Sequence, residues 1–146
     1  MEEISINWLA LVCAAVLPLI IGFIWYGPLF GKAWMNETGM TETKAKQMNP
    51  VKTFGLAVIF SFLVAFFIVP QVFLGGMPPD ELHGAEQFMT FKHGALHGAI
   101  IGLFVVLPVF AINALFEQKS AKYIMINAGY WVLTMSLMAG LINAWP

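Results

Sequence analysis

The chain has 146 residues, of which 60% are hydrophobic and only 10% charged, and its mean hydropathy is +0.80. An ordinary soluble domain presents more charge to water than this. The net charge of −1 leaves no basic footprint for nucleic acid. Four windows without a charged side chain, residues 4–31, 53–79, 93–116 and 123–146, each exceed the roughly 20 apolar residues that cross about 30 Å of hydrocarbon.

Taken in chain order, the first predicted span covers residues 4–30. The residues before it, Met1-Glu2-Glu3, are acidic where a secretory signal is basic, so it is expected to be a permanent span. Cys13 lies within it and reads as a small buried residue. Pro18 removes the donor for the Ala14 carbonyl, which predicts a kink. A polar connector follows, in which Thr41 is placed to cap a short helix over 42–48, ended by Asn49-Pro50. The second span is predicted at 53–74, with Phe60, Phe62, Phe66 and Phe67 mostly facing lipid. A turn-like segment, 75–87, opens on Gly75-Gly76 and Pro78-Pro79. The third span is predicted at 88–116, with Pro108 freeing the Phe104 carbonyl, and the fourth at 123–145. The expected fold is therefore all-α: an integral membrane bundle of four transmembrane helices, arranged as two antiparallel hairpins in a single domain.

Orientation follows from lysine placement, since the chain has seven lysines and no arginine. Lys32, Lys44, Lys46 and Lys52 lie between spans one and two, and Lys119 and Lys122 between spans three and four. In a four-span chain both connectors share one side. The other side carries Lys92 alone, with Glu2, Glu3, Asp80, Glu81 and Glu86. The positive-inside rule then places both termini outside, in the periplasm if the chain sits in the plasma (inner) membrane of a Gram-negative bacterium.

Lipid tails are as apolar as leucine, so close backbone approach and interhelical hydrogen bonds must hold such helices together. Span three carries Gly94, Gly98 and Gly102 at four-residue spacing, which predicts its tightest contact, within the bundle or across a dimer axis. Ala14-Pro18-Gly22, Ala57-Ser61-Ala65 and Ser136-Gly140-Ala144 are weaker stripes of the same kind.

Three groups of residues are candidates for chemistry. His93 and His97 share a face at the outer end of span three, a spacing that allows a shared metal or a pH-linked role. His83, Asp80, Glu81 and Glu86 are the further ligands within reach of sequence. Two histidines do not close a metal site, Lys92 repels a cation, and packing is the simpler reading; no metal or cofactor is expected. At the inner side, Asn113 and Asn127 are symmetric about residue 120, so an amide pair across the two helices is expected, near Glu117. Tyr130 lies one turn deeper and needs a hydroxyl partner, and Trp131 is too deep for an interfacial belt. The third group is the run Trp25-Tyr26-Gly27-Pro28-Leu29-Phe30-Gly31-Lys32-Ala33-Trp34, a helix exit with aromatics at headgroup depth and a lysine reaching phosphate.

On that run, on Asn113–Glu117, on Asn127–Tyr130 and on the Gly140-to-Trp145 ending, the chain resembles the small bacterial membrane proteins called domain of unknown function 1761. The resemblance implies a four-helix integral membrane protein with no established activity. Its motifs gather Tyr26, Lys32, Trp34, Asn113, Glu117, Asn127 and Tyr130 at the inner end, where Lys32 and Glu117 are expected to pair.

No nucleophile–base set, phosphate loop or HExxH motif is present in the sequence. The function expected is a non-enzymatic membrane component, homo-oligomeric or an accessory to a membrane partner subunit, with the lipid bilayer as its surroundings. The alternative is a small oligomeric transporter or channel for a solute or proton, using the kinked helices and intramembrane polar residues.

Overall fold

The computed structural model describes residues 6–73 and 88–145. Those residues are helical throughout their ordered elements, with no strand among them. Four helices are long and apolar enough to cross a membrane: Trp8–Leu29, Pro50–Phe73, Phe91–Phe116 and Ala121–Ala144, hereafter spans one to four. Span one comprises α1 (Trp8–Ile24) and a π-turn (Trp25–Leu29). The connector holds α2 (Gly31–Thr38) and α3 (Glu42–Lys46), and span two is α4 (Pro50–Phe73). Span three comprises α5 (Phe91–Ile101), a π-turn (Gly102–Val106) and α6 (Leu107–Phe116), and span four is α7 (Ala121–Ala144).

Each span starts at a side-chain cap. The Asn7 side chain accepts from Ala10 N at 3.0 Å, Asn49 from Lys52 N at 3.0 Å, Thr90 from His93 N at 3.3 Å and Ser120 from Tyr123 N at 3.0 Å. A short polar side chain satisfies an orphan N–H at the point where the chain enters the apolar run. This is why span two starts at Pro50 and not at residue 53: Asn49 caps, and Pro50 occupies the first helical position, where its missing donor costs nothing. Thr41 caps α3 as expected, through Lys44 N at 3.2 Å. The helix over residues 31–38 was not anticipated from sequence; it ends on Gly39, left-handed at φ 66°.

Pro18 and Pro108 are absorbed differently. Pro18 stays within α1 and is buried. Ahead of Pro108 the helix widens into the Gly102–Val106 π-turn, in which Leu107 N–H donates to the Gly102 carbonyl. The wider turn relieves the carbonyl clash that a proline ring imposes one turn back.

Span four is the hub, packing against spans one, two and three. Leu11, Ala14, Ala65, Ile68, Val72, Met138, Ala139 and Ile142 form an apolar core where spans one, two and four meet. That core occupies the half of the bundle away from the two connectors. Phe60, Phe66 and Phe67 are exposed on span two, whereas Phe62 packs against the core.

Span three lies against span four through its glycines. Gly94 faces the Ala139 carbonyl and Gly98 the Met135 carbonyl, each too close for a Cβ, and a Cβ at Gly102 would lie 2.7 Å from Val132 Cα. Backbones this near leave room for glycine alone. The Ser136 hydroxyl adds a bond across the same contact, donating to Ala95 O at 2.9 Å, and Gly140 seats the Phe91 ring.

Candidate functional site

At the connector end, aromatic and polar side chains replace the apolar core. The first span leaves α-geometry at Trp25, where Phe30 N donates to Trp25 O at 2.8 Å, five residues back. The π-turn therefore contains Pro28, which has no N–H to offer the ladder. Gly31 then starts α2 directly against the Tyr26 carbonyl, 2.7 Å from where a Cβ would stand. Of the two glycines in this exit, Gly31 is the one that close approach requires; Gly27 faces open space.

This geometry aims Trp25 and Tyr26 at span four. Trp25 Nε1 donates to the Ile126 carbonyl at 2.9 Å, and its ring lies over Gly129. The Tyr26 hydroxyl donates to Asn127 Oδ1 at 2.9 Å, and Asn127 Nδ2 donates to its own helix at Tyr123 O, 2.8 Å. Returning from span four, the buried Tyr130 hydroxyl donates to Pro18 O at 2.8 Å, with its ring against Gly22. Tyr26 stacks obliquely between Trp34 (5.4 Å) and Tyr130 (5.0 Å), and Trp131 meets Tyr130 edge-on at 5.3 Å. Trp25, Tyr26, Asn127 and Tyr130 thus each donate to the facing helix or to their own.

Two expected pairs do not form. Asn113 is exposed, while the Asn127 amide bonds Tyr26 and Tyr123, so no amide pair joins spans three and four there. Symmetry about residue 120 does not determine azimuth: Asn127 is turned toward span one. Lys32 and Glu117 are both exposed and form no ion pair. Glu37 of α2 makes the inter-connector contact instead. Its carboxylate accepts a short hydrogen bond from the Ser120 hydroxyl and lies 4.0 Å from Lys122 Nζ. The two connectors thus share one end of the bundle. A carboxylate beside the capping serine also suits the positive N-terminus of span four.

At the opposite end His93 and His97 stand ring to ring, with centroids 4.7 Å apart, and Phe88 lies 5.1 Å from His93. Among the described residues no three metal-ligating side chains come together. His83, Asp80, Glu81 and Glu86 lie outside the described residues.

Sequence reasoning missed the outer counterpart of the Tyr26–Asn127 lock. Asn143, fully buried on span four, donates through Nδ2 to Phe88 O (2.7 Å) and Thr90 O (2.8 Å), tying down the start of span three. Its carbonyl oxygen has no hydrogen-bond partner among the described residues, and Thr134 is likewise fully buried on the same helix. The rule that singles out intramembrane amides would have marked Asn143 as it marked Asn127.

Part of the motif set meets at one seam, where the Trp25-Tyr26 exit of span one packs on Asn127, Gly129 and Tyr130 of span four, while Lys32, Asn113 and Glu117 stay exposed. No curated protein and no solved structure matches the chain. A family model does match, across residues 9–143, so the chain belongs to the family described as Protein of unknown function (DUF1761).

Proposed function

We propose that this is a multi-pass integral membrane protein that acts without catalysis, as a homo-oligomeric or accessory component of a bacterial inner membrane. Its four spans form two antiparallel hairpins with both termini outside. The observation that carries this reading is the seam between spans one and four. Four of the residues in the resembling motifs, Trp25, Tyr26, Asn127 and Tyr130, bind each other and the helix backbones. Side chains occupied in this way serve architecture, since a reacting or transported species would need some of them unspent.

Native mass spectrometry of gently extracted complexes tests the proposal. A defined homo-oligomer or a stoichiometric second membrane polypeptide supports it; a monomer carrying a turned-over small molecule overturns it. A tag at either terminus reachable only from the cytosol inverts the sidedness. The transport alternative draws support from one observation, the fully buried hydroxyl-bearing Thr134 one turn from Tyr130 on span four. Solute flux in proteoliposomes that falls on Thr134→Val would favour that alternative.

A further inference from the structure

The connector end carries six lysines (Lys32, Lys44, Lys46, Lys52, Lys119, Lys122) against three acids (Glu37, Glu42, Glu117), a local charge of +3. Glu37 is already engaged by Ser120 and Lys122, and no other ion pair forms among the described residues. Within this end, residues 41–56 are exposed without exception. They comprise α3, the Asn49-Pro50 entry and the first turns of span two, all projecting beyond the packed bundle.

This arm is not simply polar. Between and beside Lys44, Lys46 and Lys52 it carries Met48, Val51 and Phe54, which are 41%, 83% and 49% exposed. An exposed stretch of mixed apolar and cationic side chains, at the mouth of a helix able to cross a membrane, matches one environment. The apolar groups suit the acyl boundary, and lysines on long stems reach the phosphate layer. Lys44 is already bent back to the chain, with Nζ donating to Gly39 O at 3.3 Å, which holds α3 close to the end of α2.

We propose that residues 41–56 form a binding surface for anionic phospholipid headgroups, with Lys44, Lys46 and Lys52 as the phosphate-contacting groups and Met48, Val51 and Phe54 as the inserted ones. The arm selects anionic over zwitterionic lipid because its three lysines outnumber Glu42 and form no ion pair among the described residues. The inference rests on the membrane reading above, and the two fail differently. A chain that stays dispersed without lipid or surfactant removes both, whereas indifference to lipid charge removes this inference alone.

The test uses the full chain in mixed micelles of equimolar phosphatidylglycerol and phosphatidylcholine, with retained lipid counted by native mass spectrometry. A lysine near an anionic surface contributes about fivefold in affinity, so the wild-type chain is expected to retain phosphatidylglycerol over phosphatidylcholine by at least about tenfold. The Lys44→Gln/Lys46→Gln/Lys52→Gln variant is expected to fall below about twofold, the corresponding triple arginine variant to keep its preference, and Lys92→Gln at the opposite end to change nothing. Raising salt to about 0.5 M is expected to erase the preference. Equal retention of both lipids by the wild-type chain overturns the proposal, as does an unchanged preference in the triple glutamine variant. Displacement of the lipid by millimolar inorganic phosphate would reassign the surface to free phosphate. Loss of a co-purifying acidic polypeptide in the triple glutamine variant, with lipid retention unmoved, would reassign it to a protein partner.

Discussion

Spans three and four have similar length and pass side by side, yet they are held by opposite means. In its most apolar 18-residue window, 11% of span three is buried, against 50% of span four. Span four touches every other span and presents polar groups on several sides: Asn127 toward Tyr26, Tyr130 toward Pro18, Ser136 toward Ala95, Asn143 toward the start of span three. Span three touches mainly span four, and does so through three glycines whose backbones lie against it. The difference teaches how a helix bundle can be ordered where apolar burial supplies little direction. A central helix is specified by hydrogen bonds distributed around its circumference, and a peripheral one by a single strip of close backbone contact.

The most severe test of that contrast is Gly98→Leu. Overpacking against the Met135 carbonyl is expected to cost about 3 kcal/mol or more and to detach span three. Phe104→Ala on its exposed face should stay within about 0.5 kcal/mol. Unfolding in detergent, followed by circular dichroism, measures both, and similar losses would show that the strip does not hold the helix. Next in size is Asn143→Leu, which strips two donors from the Phe88 and Thr90 carbonyls and should cost about 2 kcal/mol. Hydrogen exchange at the first turn of α5 should quicken in this variant; unchanged exchange there would mean that the glycine strip alone fixes span three.

Tyr130→Phe removes one buried bond to Pro18 O and should cost about 1 kcal/mol. For the inner lock, a double-mutant cycle of Tyr26→Phe with Asn127→Leu should return a coupling of about 0.6 kcal/mol. Additive losses would show that the 2.9 Å contact contributes nothing between the helices. The smallest effect belongs to Asn113→Leu, expected to change stability by less than about 0.5 kcal/mol because its amide has no partner in spans one or four. A large loss would revive the cross-hairpin amide pair.

Much of the candidate site was legible one residue at a time. Tyr130 needed a hydroxyl partner because a phenol at that depth has no water, and it has one. The Trp25–Trp34 run read as a helix exit because Gly-Pro cannot continue an α-helix, and the exit is there. What could not be read was direction. Asn113 and Asn127 are symmetric about residue 120 in the sequence, but a helix places neighbours at 100° intervals, and the π-turn in span three shifts every later side chain around its axis. Lys32 and Glu117 were matched by charge and depth, yet Glu37, on a helix that hydropathy did not reveal, reaches the fourth-span cap.

From sequence alone come the four apolar runs, the lysine imbalance between their two ends, the glycine stripe and the kinds of polar group inside. These follow from length, hydropathy and local steric rules that need no knowledge of neighbours. Only the tertiary structure decides that span four is the hub, that the stripe faces it, that Trp25 lies over Gly129 and that Asn127 turns to Tyr26. The physical reason is that lipid and leucine are interchangeable surroundings for an apolar face. Which face turns inward is therefore decided by the few groups that find partners across helices, and pairing between distant segments leaves no trace in the local pattern of either.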